Sequence, residues 1–340
     1  MINLFEKAAV FADIHFGKKN NERLFNEDCN NFIDFFIAEC KKEGVDTIIF
    51  LGDWHDNRQS LHVSTLKYSI ENLKKLNDNF DKVYMIMGNH DIYYKDRRDV
   101  NSIIVGDSLD NIVIINDFLE VGNCLFCPWL VNEDWTTIKD RVKGKSYVFG
   151  HFELPHFQMN AMVEMPDHGG LSADHFDEVV YMTFTGHFHK RQVRKKVCYV
   201  GSPFPHTYAD AWDDERGFMI LEWGQEPRFV DFDGPRYRTM SLTELLDDPL
   251  GKLPEQSYAK IATDIDLNYE EIHFIKDTFI AQFKARKFDI TSGIRDTNDH
   301  DFSDQNIDVL SIDQIVIDGL KSIESKTMKT DVLIKLFSDL

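Results

Sequence analysis

The sequence predicts an α/β fold with a layered core, and two observations support this prediction. Short continuous apolar runs alternate with segments in which apolar residues recur at spacings of three and four. Continuous apolar runs are typical of strands covered on both faces, and the spacing of three and four is typical of amphipathic helices. Strands and helices that alternate in this way form a sheet with helices packed against it.

The first elements follow the order strand, helix, strand, helix, strand. Strands are predicted over 8–12, 47–51 and 83–87. Helices are predicted over 29–40, where Phe32, Phe36 and Cys40 share one face before Gly44, and over 61–76. Further strands are predicted over 112–115, 119–121, 124–127, 147–149, 181–185, 197–200 and 217–223, with a helix over 135–142.

The predicted domains differ in composition. Residues 1–225 form the main domain, and residues 226–292 form a small α+β unit with strands over 258–266 and 288–291 and a helix over 269–283. Residues 293–308 are polar and acidic, which is typical of a flexible linker. Residues 309–340 are predicted as a helical tail, whose apolar stripe comprises Ile312, Ile315, Val316, Leu320, Leu333, Leu336 and Phe337.

Composition narrows the classes of function. The net charge of −20 argues against broad, non-specific adhesion to nucleic acid, although bound metals leave a metallonuclease possible. No apolar run reaches the roughly 20 residues that span a bilayer, so we expect no membrane association. Five cysteines without a signal sequence predict reduced thiols in a cytoplasm. The pair Cys124 and Cys127 has the spacing of a zinc or redox motif, but its apolar flanks favour a buried strand.

Five short polar motifs directly follow predicted strands. They are Asp13-x-His15, Gly52-Asp53-x-x-Asp56, Gly88-Asn89-His90-Asp91, Gly150-His151 and Gly186-His187-x-His189. Ligands gather at the carboxyl ends of strands in α/β sheets, so these motifs should converge on one crevice. Imidazole, carboxylate and amide groups suit divalent cations such as Mn²⁺, Fe²⁺ or Zn²⁺. A carboxylate that bridges two such cations, about 3.5–4 Å apart, allows hydrolysis by an activated water.

This ordered set resembles the calcineurin-like metallophosphoesterase superfamily, and within it the SbcD-type DNA repair nucleases related to the meiotic-recombination-eleven nuclease. Two later segments strengthen the resemblance, Tyr199-Val-Gly-Ser-Pro203 and Asp214-Glu-Arg-Gly-Phe218. The resemblance covers roughly residues 8–223 and implies a layered β-sandwich flanked by helices, a small DNA-facing capping domain and a helical tail. The compact length suggests a phage recombination nuclease subunit, which would act in the bacterial or host cytoplasm.

The resemblance also implies roles for individual residues. Asp13, His15 and His189 would bind the first metal, and Asn89, His151 and His187 the second, with Asp53 bridging both. The expected metal is Mn²⁺, with Mg²⁺ or Fe²⁺ as alternatives. His90 would protonate the leaving oxygen, and the Asp56 carboxylate would orient it. Two alternatives remain open: Asp91 as the partner of His90, and His55 as a partial substitute for Asp56.

The remaining histidines are expected at the surface or in loops; they are His62, His156, His168, His175, His206, His273 and His300. Of these, His156 lies close to the short motif of His151, which makes His151 the least distinctive of the predicted ligands.

Basic residues close to three of the motifs suggest a track for DNA phosphates. The candidates are Lys18, Lys19, Arg97, Arg98, Lys190, Arg191, Arg194, Lys195 and Lys196. A solvated charged face is the equally weighted alternative.

The tail either packs on its own domain or docks on a partner. The resemblance names that partner as an SbcC/Rad-type ABC ATPase with a coiled coil, and it implies a homodimer.

Three functions follow from these observations. The first is a metal-dependent DNA nuclease subunit that works with an ATPase in repair or recombination. The second is a stand-alone phosphatase or small-molecule phosphodiesterase, which the two later segments and the tail disfavour. The third is a mainly structural subunit of an ATPase–DNA clamp, which would have no physical need for seven metal ligands.

Overall fold

A computed structural model describes residues 3–159 and 163–292. The chain divides into two compact units, of which one ends at Tyr237 and the other begins at Arg238. The boundary predicted between residues 225 and 226 lies before this division. The strand Arg228–Asp231 follows the predicted boundary but pairs with the strand Gly217–Glu222 of the first unit. The predicted linker 293–308 and the tail residues 309–340 lie outside the described residues.

The first unit contains two six-stranded mixed sheets. The first sheet has the order β12-β11-β1-β2-β3-β4, in which β1 to β4 are parallel and β11 and β12 are antiparallel additions. Its strands are β1 (Lys7–Phe11), β2 (Thr47–Phe50), β3 (Lys82–Ile86), β4 (Ile112–Ile115), β11 (Gly217–Glu222) and β12 (Arg228–Asp231).

The second sheet has the order β5-β6-β7-β8-β10-β9. The pairs β6–β7, β7–β8 and β8–β10 are parallel, and the strands at both edges are antiparallel. Its strands are β5 (Leu119–Val121), β6 (Cys124–Cys127), β7 (Tyr147–His151), β8 (Met182–Gly186), β9 (Gln192–Arg194) and β10 (Val197–Tyr199).

The two sheets pack face to face. Alternate residues of β1, such as Ala8 and Val10, share a buried cluster with Phe149 of β7 and Phe184 of β8. The period of two along each strand places the intervening residues on the opposite face. There, Phe11 of the first sheet packs against the helices. These layers confirm the predicted α/β sandwich.

Two long helices cover the outer face of the first sheet. They are α2 (Arg23–Lys42) and α3 (Val63–Asn79). Phe32 and Phe36 of α2 lie against Phe11, with ring centroids 5.7 and 4.7 Å away. The other helices of this unit are single turns, α1 (Lys18–Asn21) and α4 (Ile138–Arg141), with 3-10 turns at Ser102–Gly106, Asp134–Thr137, Ala173–Phe176 and Tyr208–Asp210.

The buried cysteines follow the same alternation. Cys124 belongs to the cluster between the sheets, and Cys127 belongs to the cluster on the far face of the second sheet. All five cysteines are buried and unpaired, and burial raises the pKa of Cys124 to about 12. Residues on opposite faces of one strand cannot bind one metal together, so the interpretation as a buried strand is confirmed.

The second unit is a small three-stranded sheet with the order β13-β14-β15. It contains β13 (Arg236–Ser241) from Arg238 onward, α5 (Leu242–Asp247), α6 (Pro249–Lys252), β14 (Ser257–Thr263), α7 (Tyr269–Phe283) and β15 (Lys287–Ser292). The parallel pair β14–β15 is connected through α7, whose Phe279 stacks on Phe288 with ring centroids 4.9 Å apart. Among residues 3–159 and 163–292, every helix is too short or too polar to cross a bilayer.

Candidate metal centre

The five predicted motifs lie at the carboxyl ends of strands from both sheets. Asp13, Asp53 and Asn89 follow β1, β2 and β3 of the first sheet. His151 ends β7, and His187 follows β8 of the second sheet. The face-to-face packing of the sheets therefore brings carboxylates and the amide from one sheet toward imidazoles from the other.

The turns that carry these residues have unusual backbone conformations. Asp13, His15, Asp53 and His187 all have positive φ values, of 54°, 53°, 63° and 94°. Non-glycine residues seldom adopt this region, and such strain concentrates at functional sites. The chain here is bent to point several donor groups inward.

Two glycines permit the close approach of neighbouring turns. A Cβ atom at Gly88 would lie 2.1 Å from Asp53 Oδ1, and one at Gly52 would lie 2.5 Å from His151 Nδ1. Gly52 also has a φ of 103°. Any side chain at these positions would displace a predicted ligand, which explains the glycines before Asp53 and Asn89.

Asp53 lies between two groups of donors. Its Oδ2 atom is 3.6 Å from His15 Nε2 and 3.4 Å from His151 Nε2. On the first side, His15 Nε2 lies 3.2 Å from His189 Nε2, and Asp13 completes the group. The structure thus brings together the four residues expected around the first metal.

The second group contains Asn89, His151 and His187. Asn89 Oδ1 lies 3.1 Å from His151 Nε2 and 2.9 Å from His187 Nδ1. The other ring nitrogen of His151 donates to the main-chain oxygen of Leu51 at 2.7 Å, which directs Nε2 inward. All seven predicted ligands therefore converge, while His156 lies outside, paired with Glu164 at 3.4 Å.

The protonation states of the buried donors depend on one another. Burial raises the pKa of Asp13 to about 7 and lowers that of His15 to about 4. Burial would also raise the pKa of Asp53, but the neighbouring His151 and His15 hold it well below its usual range. His151 has its pKa raised to about 9, because Asp53 and Asp13 outweigh its burial.

The donor set fits divalent metals. It offers four imidazoles, two carboxylates and one amide oxygen, and no thiolate. Imidazole and carboxylate together suit borderline to hard cations. When two imidazole nitrogens face each other, as His15 Nε2 and His189 Nε2 do, a shared proton or a cation must lie between them. Because both carboxylates are buried, cations would also remove the electrostatic penalty of ionising them.

His90 is oriented differently from the expectation. Its Nδ1 donates to the main-chain oxygen of Asp56 at 2.5 Å, and its main-chain N–H donates to Asp53 Oδ1 at 2.8 Å. The Asp56 carboxylate instead lies 3.5 Å from His15 Nδ1 and accepts from Lys18 Nζ at 2.9 Å. The Asp56 carboxylate lies within 4.8 Å of a ring nitrogen of His90, but the hydrogen bond of that ring is made with the main chain, so the carboxylate–histidine pair stays a prediction. The hydrogen bond from Asp56 N–H to the Phe16 oxygen aligns the two loops and turns the carboxylate toward His15.

The two alternatives for a partner of His90 have other roles in the structure. Asp91 accepts main-chain N–H groups of Asp53, Trp54, His55 and Gly88 at 2.8, 3.0, 3.2 and 2.9 Å. It therefore shapes the turn that presents Asp53. His55 is buried and lies 2.8 Å from each of the hydroxyls of Ser69 and Ser102.

Two residues beside the metal centre, Glu153 and Trp129, were not predicted from the sequence. Glu153 Oε2 accepts from His187 Nε2 at 3.2 Å, which leaves Nδ1 of this ring facing Asn89. The Trp129 ring lies 5.1 Å from that of His187, and its main-chain N–H donates to the Met87 oxygen at 2.8 Å. In the sequence, the only feature that pointed to Glu153 was its position two residues after His151. No feature of the sequence around Trp129 predicted that it lies beside the centre.

His206 lies in a loop, as one of the two expectations for it stated, but its side chain is fully buried. Its ring lies 4.8 Å from that of His189 and 5.4 Å from that of His15. Of the other histidines expected at the surface or in loops, His300 lies outside the described residues, and the rest are exposed or half-buried.

The basic residues mostly have local partners. Arg98 pairs with Asp134 at 2.7 Å, Arg191 with Asp231 at 2.8 Å and Lys195 with Asp174 at 2.6 Å. Other contacts engage Lys18 with Asp56, Arg97 with Asp99, Arg194 with the His156 oxygen, Lys196 with the Val179 oxygen, and Lys19 with the Tyr237 ring. Residues 192–199 form the β9–β10 hairpin, which was not predicted as paired strands. These contacts favour a structural role for most of the basic residues between 190 and 196. Lys190 lies directly after His189.

The two later segments hold the centre together. The buried Arg216 donates to the main-chain oxygen of His189 and to Ser202 Oγ. It also pairs with Asp213 at 2.8 Å and with Asp210 at 3.3 Å. Tyr199 donates its hydroxyl to the Phe152 oxygen at 2.9 Å, next to His151. The Y-x-G-S-P and R-G-F patterns are therefore explained by contacts to the loops that carry His151 and His189.

Comparison with known proteins agrees with this geometry. Residues 7–191 match the family described as Calcineurin-like phosphoesterase. The chain is 29% identical over 223 residues to Exonuclease subunit 1 of Enterobacteria phage T4, which covers 64% of this chain. The match spans 64% of the phage protein, less than two thirds of its length.

Two solved structures are also similar. A dimetal phosphatase from Danio rerio is 12% identical with a TM-score of 0.41, over 66% of this chain and 96% of that chain. Pseudomonas putida nuclease MPE is 15% identical with a TM-score of 0.31, over 66% of this chain and 78% of that chain.

The family match covers more than half of the 340 residues and contains every predicted metal ligand. With the sandwich fold and the convergent donors, it establishes that the chain belongs to the calcineurin-like phosphoesterases.

Proposed function

We propose that this chain is a two-metal-dependent DNA nuclease subunit. The observation that carries the proposal is the position of Asp53, whose Oδ2 atom lies between His15 on one side and His151 on the other. A carboxylate in that position suits a pair of cations that hydrolyses phosphodiesters. The similarity to a phage exonuclease subunit supports DNA as the substrate.

The chain would hold the two cations in two groups that share Asp53. Asp13, His15 and His189 serve the first group, and Asn89, His151 and His187 the second. We propose Mn²⁺ as the metal, with Mg²⁺ or Fe²⁺ as alternatives, because the set mixes nitrogen and oxygen donors. When bound, such cations supply Lewis acidity and an activated water at neutral pH.

His90 is the proposed proton donor to the leaving oxygen. The main-chain oxygen of Asp56 accepts from Nδ1, so Nε2 is the nitrogen that remains for the substrate. The hydrogen bond from Nδ1 also fixes the orientation of the ring, as the geometry of a general acid requires. The role expected of the Asp56 carboxylate is thus performed by its main-chain oxygen, and the carboxylate orients His15 and Lys18.

A cavity beside the centre supports a nucleic-acid substrate. It has a volume of about 360 Å³ and is lined by Trp129, Trp135 and His151 among other residues. Trp135 is 37% exposed, so its ring is accessible. Aromatic side chains next to a phosphate site provide surfaces on which unpaired bases stack. Simple phosphate esters would have no use for such a surface.

The proposed setting is a repair or recombination complex in a bacterial or host cytoplasm. The phage relative is called a subunit, which supports the expectation of a partner. We propose that the tail, residues 309–340, binds an ABC ATPase with a coiled coil, and that the nuclease domain forms a homodimer. Residues 226–292 would face DNA.

The alternatives use the same fold. A stand-alone phosphatase would turn over small esters and leave DNA intact. A structural subunit would retain its cellular role without its metal ligands. The buried, strained donors disfavour the latter, because a scaffold would not need them.

The test is cleavage of end-labelled single- and double-stranded DNA by the purified chain with and without Mn²⁺. We expect manganese-dependent cutting that His90→Ala loses by about 10²–10⁴-fold, the usual contribution of a general acid. His156→Ala is the matched control, because His156 is half-exposed and lies outside the centre.

Each result points to one function. Cutting that persists in the metal-ligand variant Asp53→Asn would show that the activity belongs to a contaminant or to another site. Hydrolysis of p-nitrophenyl phosphate or a cyclic nucleotide without any DNA cleavage would move the function to the phosphatase alternative.

A further inference from the structure

His206 is a buried histidine that the expected ligand set does not include. Its side chain is fully buried, and neither ring nitrogen has a hydrogen-bond partner among the described residues. A buried polar group without a partner loses its hydration and gains nothing in return. Such a group in a native structure requires an explanation, and a bound ligand is one.

The surroundings of His206 indicate which ligand it would bind. The rings of Phe25 and Phe204 lie 5.3 Å from it and offer no hydrogen-bonding atoms of their own. The polar rings of His15 and His189 lie 5.4 and 4.8 Å away. One ring nitrogen from each of these three histidines lies within 4.8 Å of the others. His206 therefore faces the first group of donors.

The loop that carries His206 is fixed relative to His189. Asp210 Oδ2 accepts the main-chain N–H groups of His206 and Thr207 at 3.0 and 3.1 Å. Asp210 Oδ1 accepts from Arg216, which also donates to the main-chain oxygen of His189. One buried arginine thus holds both histidines in place before any ligand binds.

We propose that His206 is a further ligand of the first metal, beside His15 and His189. This inference rests on the proposed two-metal centre, but it does not depend on DNA as the substrate. A third imidazole makes the first group richer in nitrogen than the second. Nitrogen donors favour Mn²⁺, Fe²⁺ or Zn²⁺ over Mg²⁺, so His206 would select a transition metal at this position.

The test is His206→Phe, which keeps an aromatic ring between Phe25 and Phe204 and removes both nitrogens. Mn²⁺ binding to the metal-free chain is measured by the electron paramagnetic resonance of free Mn²⁺. We expect one of two sites to weaken by about ten- to a hundredfold, comparable to losing a neighbour that supports a metal ligand. Pulsed measurements of nitrogen coupling should show one imidazole fewer on the bound ion.

Two reference variants define the scale. His189→Ala should weaken the same site, and combining it with His206→Phe should not affect the second site. His156→Phe changes a half-exposed histidine outside the centre and should leave both sites at their original affinity.

Thermal unfolding separates ligation from structural support. The metal-free His206→Phe variant should unfold at the same temperature as the original chain or higher, because it removes two unpaired buried atoms. Added Mn²⁺ should raise its unfolding temperature by less than that of the original chain.

Unchanged Mn²⁺ affinity and unchanged nitrogen coupling in His206→Phe would overturn the proposal. If that variant does not fold, His206→Gln is measured in the same way, and an affinity equal to that of the original chain would overturn it equally. A chain that binds two Mn²⁺ ions but cuts no DNA would instead remove the nuclease function and leave the role of His206 intact.

Discussion

At the scale of single residues, two of the candidate ligand histidines are oriented by an acceptor on the far side of the ring. His151 donates Nδ1 to the Leu51 oxygen, which leaves Nε2 for a ligand. His187 has the reverse arrangement, since Nε2 donates to Glu153 and Nδ1 faces Asn89. Such partners fix the tautomer of a ligating ring and increase its basicity. Glu153 is thus predicted to matter as much for metal binding as some ligands.

Replacing Glu153 tests this role. In Glu153→Ala, the His187 ring loses its acceptor, so we expect Mn²⁺ to bind the second site about ten- to a hundredfold more weakly. The measurement is a calorimetric Mn²⁺ titration of the metal-free protein. Glu164→Ala is the control, because Glu164 pairs with the half-exposed His156. Equal affinities in both variants would show that Glu153 is a surface carboxylate without influence on the centre.

At the scale of elements, the centre depends on strand ends and on one buried arginine that fixes the loops after them. Arg216 is fully buried and interacts with Asp210, Asp213, Ser202 and the main chain of His189. Removing one charged residue from a buried network leaves the remaining charges without a counter-charge. The segment that follows β10 should therefore be among the most sensitive parts of the fold.

Arg216→Met measures that sensitivity. We expect the free energy of unfolding to fall by about 3–5 kcal/mol, since the buried Asp210 and the partly buried Asp213 lose their counter-charge. Urea unfolding of the metal-free protein provides the value. Arg228→Met is the matched control: Arg228 pairs with Glu43 at 2.7 Å on the surface, and its loss should change stability by about 0–1 kcal/mol. Similar losses in both variants would contradict a central role for the Arg216 network.

Elements whose own residues determine them could be predicted from the sequence. Strands such as Ile112–Ile115 are continuous apolar runs, and the helix Tyr269–Phe283 begins after Asn268, which forms a capping box with Glu271. The convergence of the candidate ligands could be predicted because each polar motif follows a buried strand. The strand β9 was missed, because three residues in a basic run, two of them polar, acquire their structure only by pairing with β10.

Features that arise from tertiary contact could not be predicted. The orientation of the Asp56 carboxylate depends on where the loop after β1 places His15 and Lys18. The burial of His206 depends on Phe25 and Phe204, which come from distant parts of the chain. A single sequence carries no periodicity or motif that reports such contacts.

At the scale of the whole molecule, the net charge of −20 determines how the chain can bind a polyanion such as DNA. Carboxylates within 4 Å already neutralise five of the nine candidate basic residues, namely Lys18, Arg97, Arg98, Arg191 and Lys195. Among the described residues, three of the other candidates have no carboxylate at that distance: Lys190, Arg194 and Lys196. Binding should therefore depend on few phosphate contacts and on the metals themselves.

The salt dependence of DNA binding distinguishes binding through a few phosphate contacts from binding through all nine candidate basic residues. At about −0.9 per phosphate contact, three contacts give a slope of log K against log salt of roughly −3, whereas nine give roughly −8. Fluorescence anisotropy of labelled duplex with the His90→Ala variant gives the slope without cleavage. We expect about −3 or shallower, reduced by about one unit in Lys190→Ala. Lys195→Ala should leave the slope unchanged, because Asp174 already neutralises that lysine. A slope near −8 would mean that DNA displaces the carboxylates and that the whole basic run forms the phosphate track.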